Sequence, residues 1–438
     1  MKYGLLQTIF WIMLFLALAL LPMAVALLGS KPPAREFWIE FGVMLGFLGF
    51  GILILQFVIT GRYRWFGAGF SLDNLLQFHK VTGIFALLLI LAHPAVLITA
   101  DPDFLAYFDP RENLPRALAL SYISVAVIVL VASSLWRLTF RLSYERWRLV
   151  HGVLSFSILF LGLGHMLMVQ HYTEPIWKAG AFVVLCGAGL YLLVHSRVVR
   201  PRLMRRRPYR LLGVRPEISD GFTLVLEPDG HRFNKWRSGQ FTWVTVGDSP
   251  FSMQQHPFSL ASSPLQGQVE LTMKAFGDFT SAAAKLEPGT RIWLEGPYGA
   301  FYHEPEKHTG AVFVAGGVGI TPIMSMLRTA RESNDPSPYL LIYGNKNWDD
   351  IIFREELEAM EKLINLKVVH VLEEAHEGWK GEEGFIDEDV LRRHVPEDRE
   401  AYAYYICGPE KMIDLSESSL RDLGVPAPQI FSERFNMV

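Results

Sequence analysis

Two stretches, Phe78–Pro94 (FHKVTGIFALLLILAHP) and Arg148–Met166 (RLVHGVLSFSILFLGLGHM), decide how the first half of this chain is built. Each sits in an apolar run long enough to cross a bilayer, and each carries two histidines 14 positions apart, His79 with His93 and His151 with His165. At about 100° per residue, 14 steps stop roughly 40° short of four turns, so the two histidines of a run share one helix face about 21 Å apart along the axis. A single histidine of this kind reads as a satisfied polar residue inside a bundle. Ionisable side chains at membrane depth are costly and face a functional interior, however, and the same spacing occurs twice.

Working outward, six segments reach the roughly 20 apolar residues a membrane helix needs: about 5–28, 37–60, 72–100, 117–136, 143–169 and 175–195. The arginines that follow spans two, four and six (Arg62 and Arg64; Arg137, Arg141, Arg146 and Arg148; Arg197, Arg200, Arg202, Arg205, Arg206 and Arg207) place those ends in the cytoplasm. Both termini are then cytoplasmic. Ala24-Val25-Ala26 also fits a small-x-small cleavage site, but the preceding apolar run is too long for a typical signal peptide, and a retained first span is expected. Spans three and five run in the same direction, so His79 lies level with His151 and His93 with His165. Each level offers two imidazoles, as a six-coordinate haem iron between two helices requires, and the expected ligand set is two b-type haems, inner and outer. No CxxCH occurs, so thioether attachment is not expected. His171 and His195 fall near span ends and read as interfacial.

Half of the 438 residues are apolar, mean hydropathy is positive, and the excess lies before residue 200. A net charge of −3, with the basic residues clustered beside the spans, argues against a nucleic-acid partner. The two cysteines, Cys186 and Cys407, are too few for a disulfide framework or a thiolate-ligated metal centre.

From Tyr209 to about Tyr302 short strands alternate with turn signals (TLVLEP, QFTWVTVG, VELTMKAFG, RIWLEGPYG), which predicts a small antiparallel barrel. It contains HPFSLASS from His256 to Ser263, KAFGDFTSAAAKL from Lys274 to Leu286, and GPYG from Gly296 to Gly299. In the second, Gly277 to Thr280 opens an Ala-rich helix, where backbone N–H groups and a hydroxyl either receive a pyrophosphate or simply cap the helix. AVFVAGGVGITPIMSMLRTA then runs a buried strand into Gly316, Gly317 and Gly319 and a helix opening with Thr321-Pro322. This is not GxGxxG, yet glycine permits close approach and a helix N-terminus receives phosphate. LLIYGNK, KVVHVLEE and AYYICGP alternate with helices, as in a parallel doubly wound sheet.

With these motifs the chain resembles a bacterial member of the NADPH oxidase and ferric reductase superfamily over nearly its full length. The resemblance implies a membrane six-helix bundle with two haems at 1–200, an antiparallel β-barrel FAD domain at 205–303, and an α/β parallel-sheet nucleotide-binding domain at 309–438. It sets Pro257, Phe258 and Ser259 against the isoalloxazine and His256 near the phosphates of FAD, flanked by Lys274, Gly277 and Thr280. Phe258 stands where many soluble reductases carry tyrosine. Gly316, Gly317, Gly319, Thr321, Pro322, Cys407, Gly408 and Pro409 would line the nicotinamide nucleotide, and Phe435 would cover the flavin. Ser259, Cys407 and Phe435 are the expected catalytic residues, with no side-chain acid or nucleophile required.

The donor is NADPH or NADH. Asn345-Lys346 after the second strand leans towards NADPH, and Asp349 and Asp350 lean the other way. The implied activity is electron transfer from NAD(P)H through FAD and two haems across a bacterial cytoplasmic membrane. Oxygen, giving superoxide, is the first choice of acceptor; a ferric chelate and a periplasmic protein partner are the alternatives. Asp101, Asp103, Asp109 and Glu112 in the outer loop read as solvated or as a cation-greeting surface. A haem sensor without enzymatic activity is the reading from another class. No EF-hand pattern or long insertion is visible, so activity is expected to be constitutive.

Overall fold

The computed structural model describes residues 5–30, 32–63, 72–232 and 235–434. The chain divides into two compact units, one of residues 5–63 and 74–199 and one that begins at Arg200.

The first unit holds six helices long and apolar enough to span a membrane. They are α1 (Leu5–Leu27), α2 (Phe37–Ile59), α3 (Leu72–Ala100), α4 (Leu114–Leu135), α5 (Tyr144–Val169) and α6 (Ile176–Val194). Short polar side chains start two of them: Asn113 accepts from Arg116 N–H and Ser143 from Arg146 N–H. Large apolar residues such as Phe10, Leu88, Val125, Phe160 and Val184 are exposed, as a lipid-facing surface requires. Polar groups inside the unit find partners. Gln56 donates to Thr82 Oγ1 at 3.0 Å, and Lys178, wholly buried, donates to the carbonyls of Ala26 and Ser30 at 2.7 and 2.9 Å. An unpaired ammonium there would be costly; these carbonyls belong to the last turn of α1 and the segment just beyond it, where no intrahelical donor reaches them.

The second unit opens with a short helix, α7 (Arg200–Met204), and a sheet of β1 (Tyr209–Pro216), β2 (Gly221–Pro228), β3 (Phe241–Val246), β4 (His256–Ser259), β5 (Val269–Lys274) and β6 (Arg291–Tyr298), with α8 (Asp278–Ala283) between the last two. The strand order is β4-β3-β6-β1-β2-β5 and every pairing is antiparallel. Its interior is filled by Leu211, Leu224, Leu226, Leu260, Leu271 and Ile292. The HPFS motif is itself the edge strand β4, with Pro257 opposite Trp243.

A parallel sheet follows, in the order β10-β9-β8-β7-β11-β12. Its strands are β7 (Gly310–Gly316), β8 (Tyr339–Asn345), β9 (Leu366–Leu372), β10 (Glu382–Glu383), β11 (Tyr402–Cys407) and β12 (Ile430–Glu433). The helices are α9 (Ile320–Ser333), α10 (Arg354–Met360), α11 (Glu388–His394) and α12 (Glu410–Asp422). Every residue of β7 is buried, because helices cover both faces of the sheet, which is why this strand reads as an unbroken apolar run.

Arg328 on α9 ties the two sheets together. Its guanidinium is 5 % exposed, donates to Ala261 O and Glu270 of the antiparallel half, and pairs with both carboxylate oxygens of Glu356 on α10. Burial alone would raise the Glu270 carboxyl, but the guanidiniums of Arg215 and Arg328 outweigh it and hold it below its ordinary value. The contribution of the carboxylate is therefore complete at neutral pH and is lost only as the pH falls through and below about 4. Arg328→Met leaves two carboxylates short of their partner and is expected to cost the second unit about 3 kcal/mol. A fall in the midpoint of thermal unfolding is the readout.

Candidate functional site

Within the membrane unit the four histidines meet as two pairs. The rings of His79 and His151 lie 6.2 Å apart between centroids, and those of His93 and His165 lie 6.3 Å apart. One imidazole of each pair comes from α3 and one from α5. An imidazole–metal bond of roughly 2 Å plus roughly 1 Å from nitrogen to ring centre, doubled across a central ion, comes to about 6 Å. Each gap is thus that of two imidazoles facing one metal ion from opposite sides. Among the described residues no group of three or more His, Cys, Asp or Glu is placed to hold a metal ion. A pair would supply two nitrogens only, so the remaining ligands of a metal held here would have to come from a macrocycle, and the donor set fits haem.

Hydrogen bonds fix the tautomer of one ring in each pair. His93 Nδ1 lies 2.9 Å from Gly42 O, and since a carbonyl only accepts, Nδ1 carries the proton and Nε2 keeps its lone pair. At the other level Ser134 Oγ donates its one proton to Leu130 O at 2.6 Å, so at 3.2 Å it accepts from His151 Nδ1–H, and Trp147 Nε1–H also donates to it. His79 Nδ1 is buried without a partner among the described residues. The ring of His93 rests against α2 at Gly46, where a Cβ would come within 3.0 Å of Nδ1.

Around His93 and His165 opens a mostly apolar cleft of about 200 Å³, lined by Phe47, Phe50, Phe104, Phe108, Ile123 and Ile158 among others. Arg35 and Tyr172 reach it and converge on Glu40: Arg35 Nε lies 3.2 Å from the carboxylate and the Tyr172 hydroxyl donates to it. Burial and that bond push the Tyr172 hydroxyl up to about 12, so it remains a donor at any physiological pH. His171 also borders the cleft, whereas His195 packs against Tyr63 and Tyr191.

In the antiparallel half, His256 stacks on Phe279 at 4.1 Å and Phe258 lies 5.8 Å from the same ring, so α8 and β4 present one surface. Ser259 is buried and its Oγ has no hydrogen-bond partner among the described residues, as a hydroxyl kept for a ligand would be. Lys274 ends β5 opposite Gly221. The Thr280 hydroxyl accepts from the N–H groups of Phe276 and Gly277, so here the capping alternative is what the turn displays.

In the parallel half the turn after β7 is pressed onto the end of β11. A Cβ on Gly319 would stand 2.2 Å from Cys407 O, and one on Gly316 would stand 2.7 Å from Pro409 Cδ. Gly317 takes φ +53, and its carbonyl accepts from the Tyr343 hydroxyl. Thr321 and Pro322 are buried in the first turn of α9, and the Thr321 hydroxyl donates to Val318 O. Lys346 is exposed and pairs with Glu374.

Sequence reasoning missed Glu433. It ends β12 directly opposite Cys407, is 6 % exposed, and its Oε1 lies 3.3 Å from where a Cβ on Gly299 would stand. Gly299 in turn abuts Phe241, whose backbone pairs with Ser259. A carboxylate at the end of an edge strand reads as solvated, and nothing in the sequence distinguishes it. Phe435 lies outside the described residues.

Three family models match the chain: the ferric reductase like transmembrane component at 45–162, an FAD-binding domain at 224–301, and an oxidoreductase NAD-binding domain at 313–418. The first takes in His79, His93 and His151 and stops short of His165. Among curated proteins, the NADH-cytochrome b5 reductase 1 of Eremothecium gossypii is 31 % identical over 189 residues, 42 % of this chain and 66 % of that protein. The plasma membrane-associated coenzyme Q6 reductase of Saccharomyces cerevisiae is 34 % identical over 170 residues, 37 % of this chain and 54 % of that protein. Both relatives are fungal, and the chain spans 66 % or less of their lengths. Of solved structures, the cytochrome b5 reductase domain of Ulva prolifera nitrate reductase is 19 % identical, covers 52 % of this chain and 98 % of its own, and has a TM-score of 0.46.

Proposed function

Because this multi-pass chain is an oxidoreductase with the ferric reductase/NADPH oxidase-type architecture, a membrane domain ahead of FAD- and NAD-binding domains, we propose that it moves electrons from cytoplasmic NAD(P)H through FAD and two haems b to an acceptor beyond the membrane. The observation that carries this reading is the pair of ring separations, 6.2 and 6.3 Å, each between α3 and α5. When bound, FAD would supply hydride acceptance and single-electron release and haem single-electron relay, with the protein supplying position and potential.

His79 and His151 hold the inner group, and His93 and His165 the outer one. Gly42 O and Ser134 Oγ keep Nε2 of His93 and His151 free for the metal. His256, Pro257, Phe258 and Ser259 take the flavin on β4, with Lys274, Gly277 and Thr280 beside it. Gly316, Gly317, Gly319, Thr321, Pro322 and the Cys407-Gly408-Pro409 turn would take the nicotinamide nucleotide. Ser259 and Cys407 would flank the path of the hydride, and Glu433 pairs with Cys407.

Oxygen is the acceptor we favour. The connection between α3 and α4 is short and lays Phe104, Tyr107 and Phe108 along the cleft at the outer pair, an apolar opening that suits a small neutral molecule. The positive-inside pattern supports a cytoplasmic-membrane protein with its soluble unit and both termini inside. The test is anaerobic addition of NAD(P)H to the purified, FAD-loaded protein followed by a pulse of air, with the haem spectrum and a superoxide-specific probe recorded together. Reduction followed by reoxidation with stoichiometric superoxide is the expected result. Reoxidation only by ferric chelate or a periplasmic protein keeps the wiring and removes oxygen as acceptor; absence of haem bands removes the reading altogether.

A further inference from the structure

The loops leaving the carboxyl ends of β8 and β9 meet, and their charges bear on which nicotinamide nucleotide the site accepts. In open parallel sheets the nucleotide lies across the carboxyl ends of the strands, with its pyrophosphate at the first strand-to-helix turn. The adenosine ribose is then read by side chains after the second strand, here the segment from Asn345 onward. Lys346 is the cation that a 2′-phosphate would seek there. Its ammonium is instead 3.3 Å from Glu374 Oε1. The pairing is built into the backbone: Glu374 N–H donates to Lys346 O at 2.7 Å and Glu373 N–H donates to Asn345 O at 3.1 Å, so the two loops run zipped together.

The other cation of this region is also committed. Arg354 lies 4.9 Å over the Trp348 ring, donates to Trp348 O at 2.9 Å and stands 3.9 Å from Asp349. His370 beside Trp348 adds no charge, since burial and then Arg354 push its imidazole down to about 4 and leave it neutral. Segments 345–354 and 373–377 together hold five carboxylates (Asp349, Asp350, Glu373, Glu374, Glu377) against two cations (Lys346, Arg354). A 2′-phosphate dianion brought here meets a net negative field, whereas a 2′-hydroxyl can donate to a carboxylate.

We propose that this nucleotide site selects NADH over NADPH and that Glu374 sets the selection, by cancelling Lys346 and offering its carboxylate to the ribose hydroxyls. The proposal rests on the reading above that the turn from Gly316 to Thr321 binds a nicotinamide nucleotide. The experiment is anaerobic stopped-flow bleaching of the flavin in the full-length, FAD-loaded protein, titrated with each nucleotide, so that neither the haems nor the acceptor enters the readout. The wild type is expected to favour NADH by about tenfold or more in kcat/KM, and Glu374→Gln to move the NADPH-to-NADH ratio up by about tenfold. Adding Lys346→Gln to Glu374→Gln returns the ratio towards the wild-type value, because the cation that Glu374→Gln uncovers is then gone. Equal or better use of NADPH by the wild type overturns the proposal, as does an unchanged ratio in Glu374→Gln. Those failures leave the nucleotide site standing; failure of both nucleotides to bleach the flavin removes the site and the proposal with it.

Discussion

His93→Ala is expected to stop electron delivery to the outer acceptor, lowering its reduction by at least about a hundredfold, while flavin bleaching by NAD(P)H continues. The substitution takes away one of the two nitrogens of the outer pair and leaves His165 alone across a gap that only a pair can bridge. The inner pair, on another level of the same two helices, keeps both of its rings. Haem content should therefore fall from two per flavin to one, and the remaining haem should still reduce. His195→Ala, which removes an imidazole outside either pair, is the control and should retain two. Full haem content and full haem reduction in His93→Ala would remove the proposed wiring, whatever the acceptor proved to be.

Gly319→Ala carries the largest expected effect in the second unit. The added methyl stands 2.2 Å from Cys407 O, 2.6 Å from its carbonyl carbon and 2.9 Å from Gly408 Cα. All three are main-chain atoms between the end of β11 and the start of α12, so no side chain can turn aside to make room. The turn after β7 must retreat, which opens the seam between it and the Cys407-Gly408-Pro409 turn. Overpacking of this kind costs about 1–3 kcal/mol of stability. The nucleotide site loses more, since a shift near 1 Å in a positioned group costs about a hundredfold in turnover. FAD content, measured on the same sample, should be preserved because the antiparallel sheet does not include this turn. Gly317→Ala is the informative neighbour: nothing lies within 4 Å of its Cβ, and its cost is only that of φ +53, about 1 kcal/mol. A reversed order of severity would show that the turn is read by its dihedrals rather than by its contact with Cys407.

The sequence was most legible where a period or an unbroken run carried the signal. The apolar runs end within a few residues of the helix ends, α4 excepted, which starts at Leu114 because Asn113 and Pro115 begin it earlier than hydropathy alone suggests. The 14-residue spacing was readable because helix geometry turns it directly into a shared face. Buried β7 and the alternating antiparallel strands were separable for the same reason. What stayed hidden depends on partners far away in the chain. Lys178 looks like an error in an apolar span until Ala26 and Ser30 are seen to meet it. Lys346 looks free until Glu374 is placed beside it, and Glu433 looks solvated until β12 pairs with β11. HPFS was recognisable as a motif, while its being a strand follows only from β3 alongside.

The two tautomer-fixing bonds differ in what can change them. The bond at the outer level is received by the Gly42 carbonyl, which belongs to the main chain and survives any substitution that keeps α2 intact. The bond at the inner level is received by the Ser134 hydroxyl, a side chain that one codon change can delete, lengthen to threonine or replace by an amide. The partner of a ligating imidazole tunes its basicity and the potential of a bound metal; on the proposed wiring, drift in this lineage would then retune the entry of electrons into the membrane far more easily than their exit.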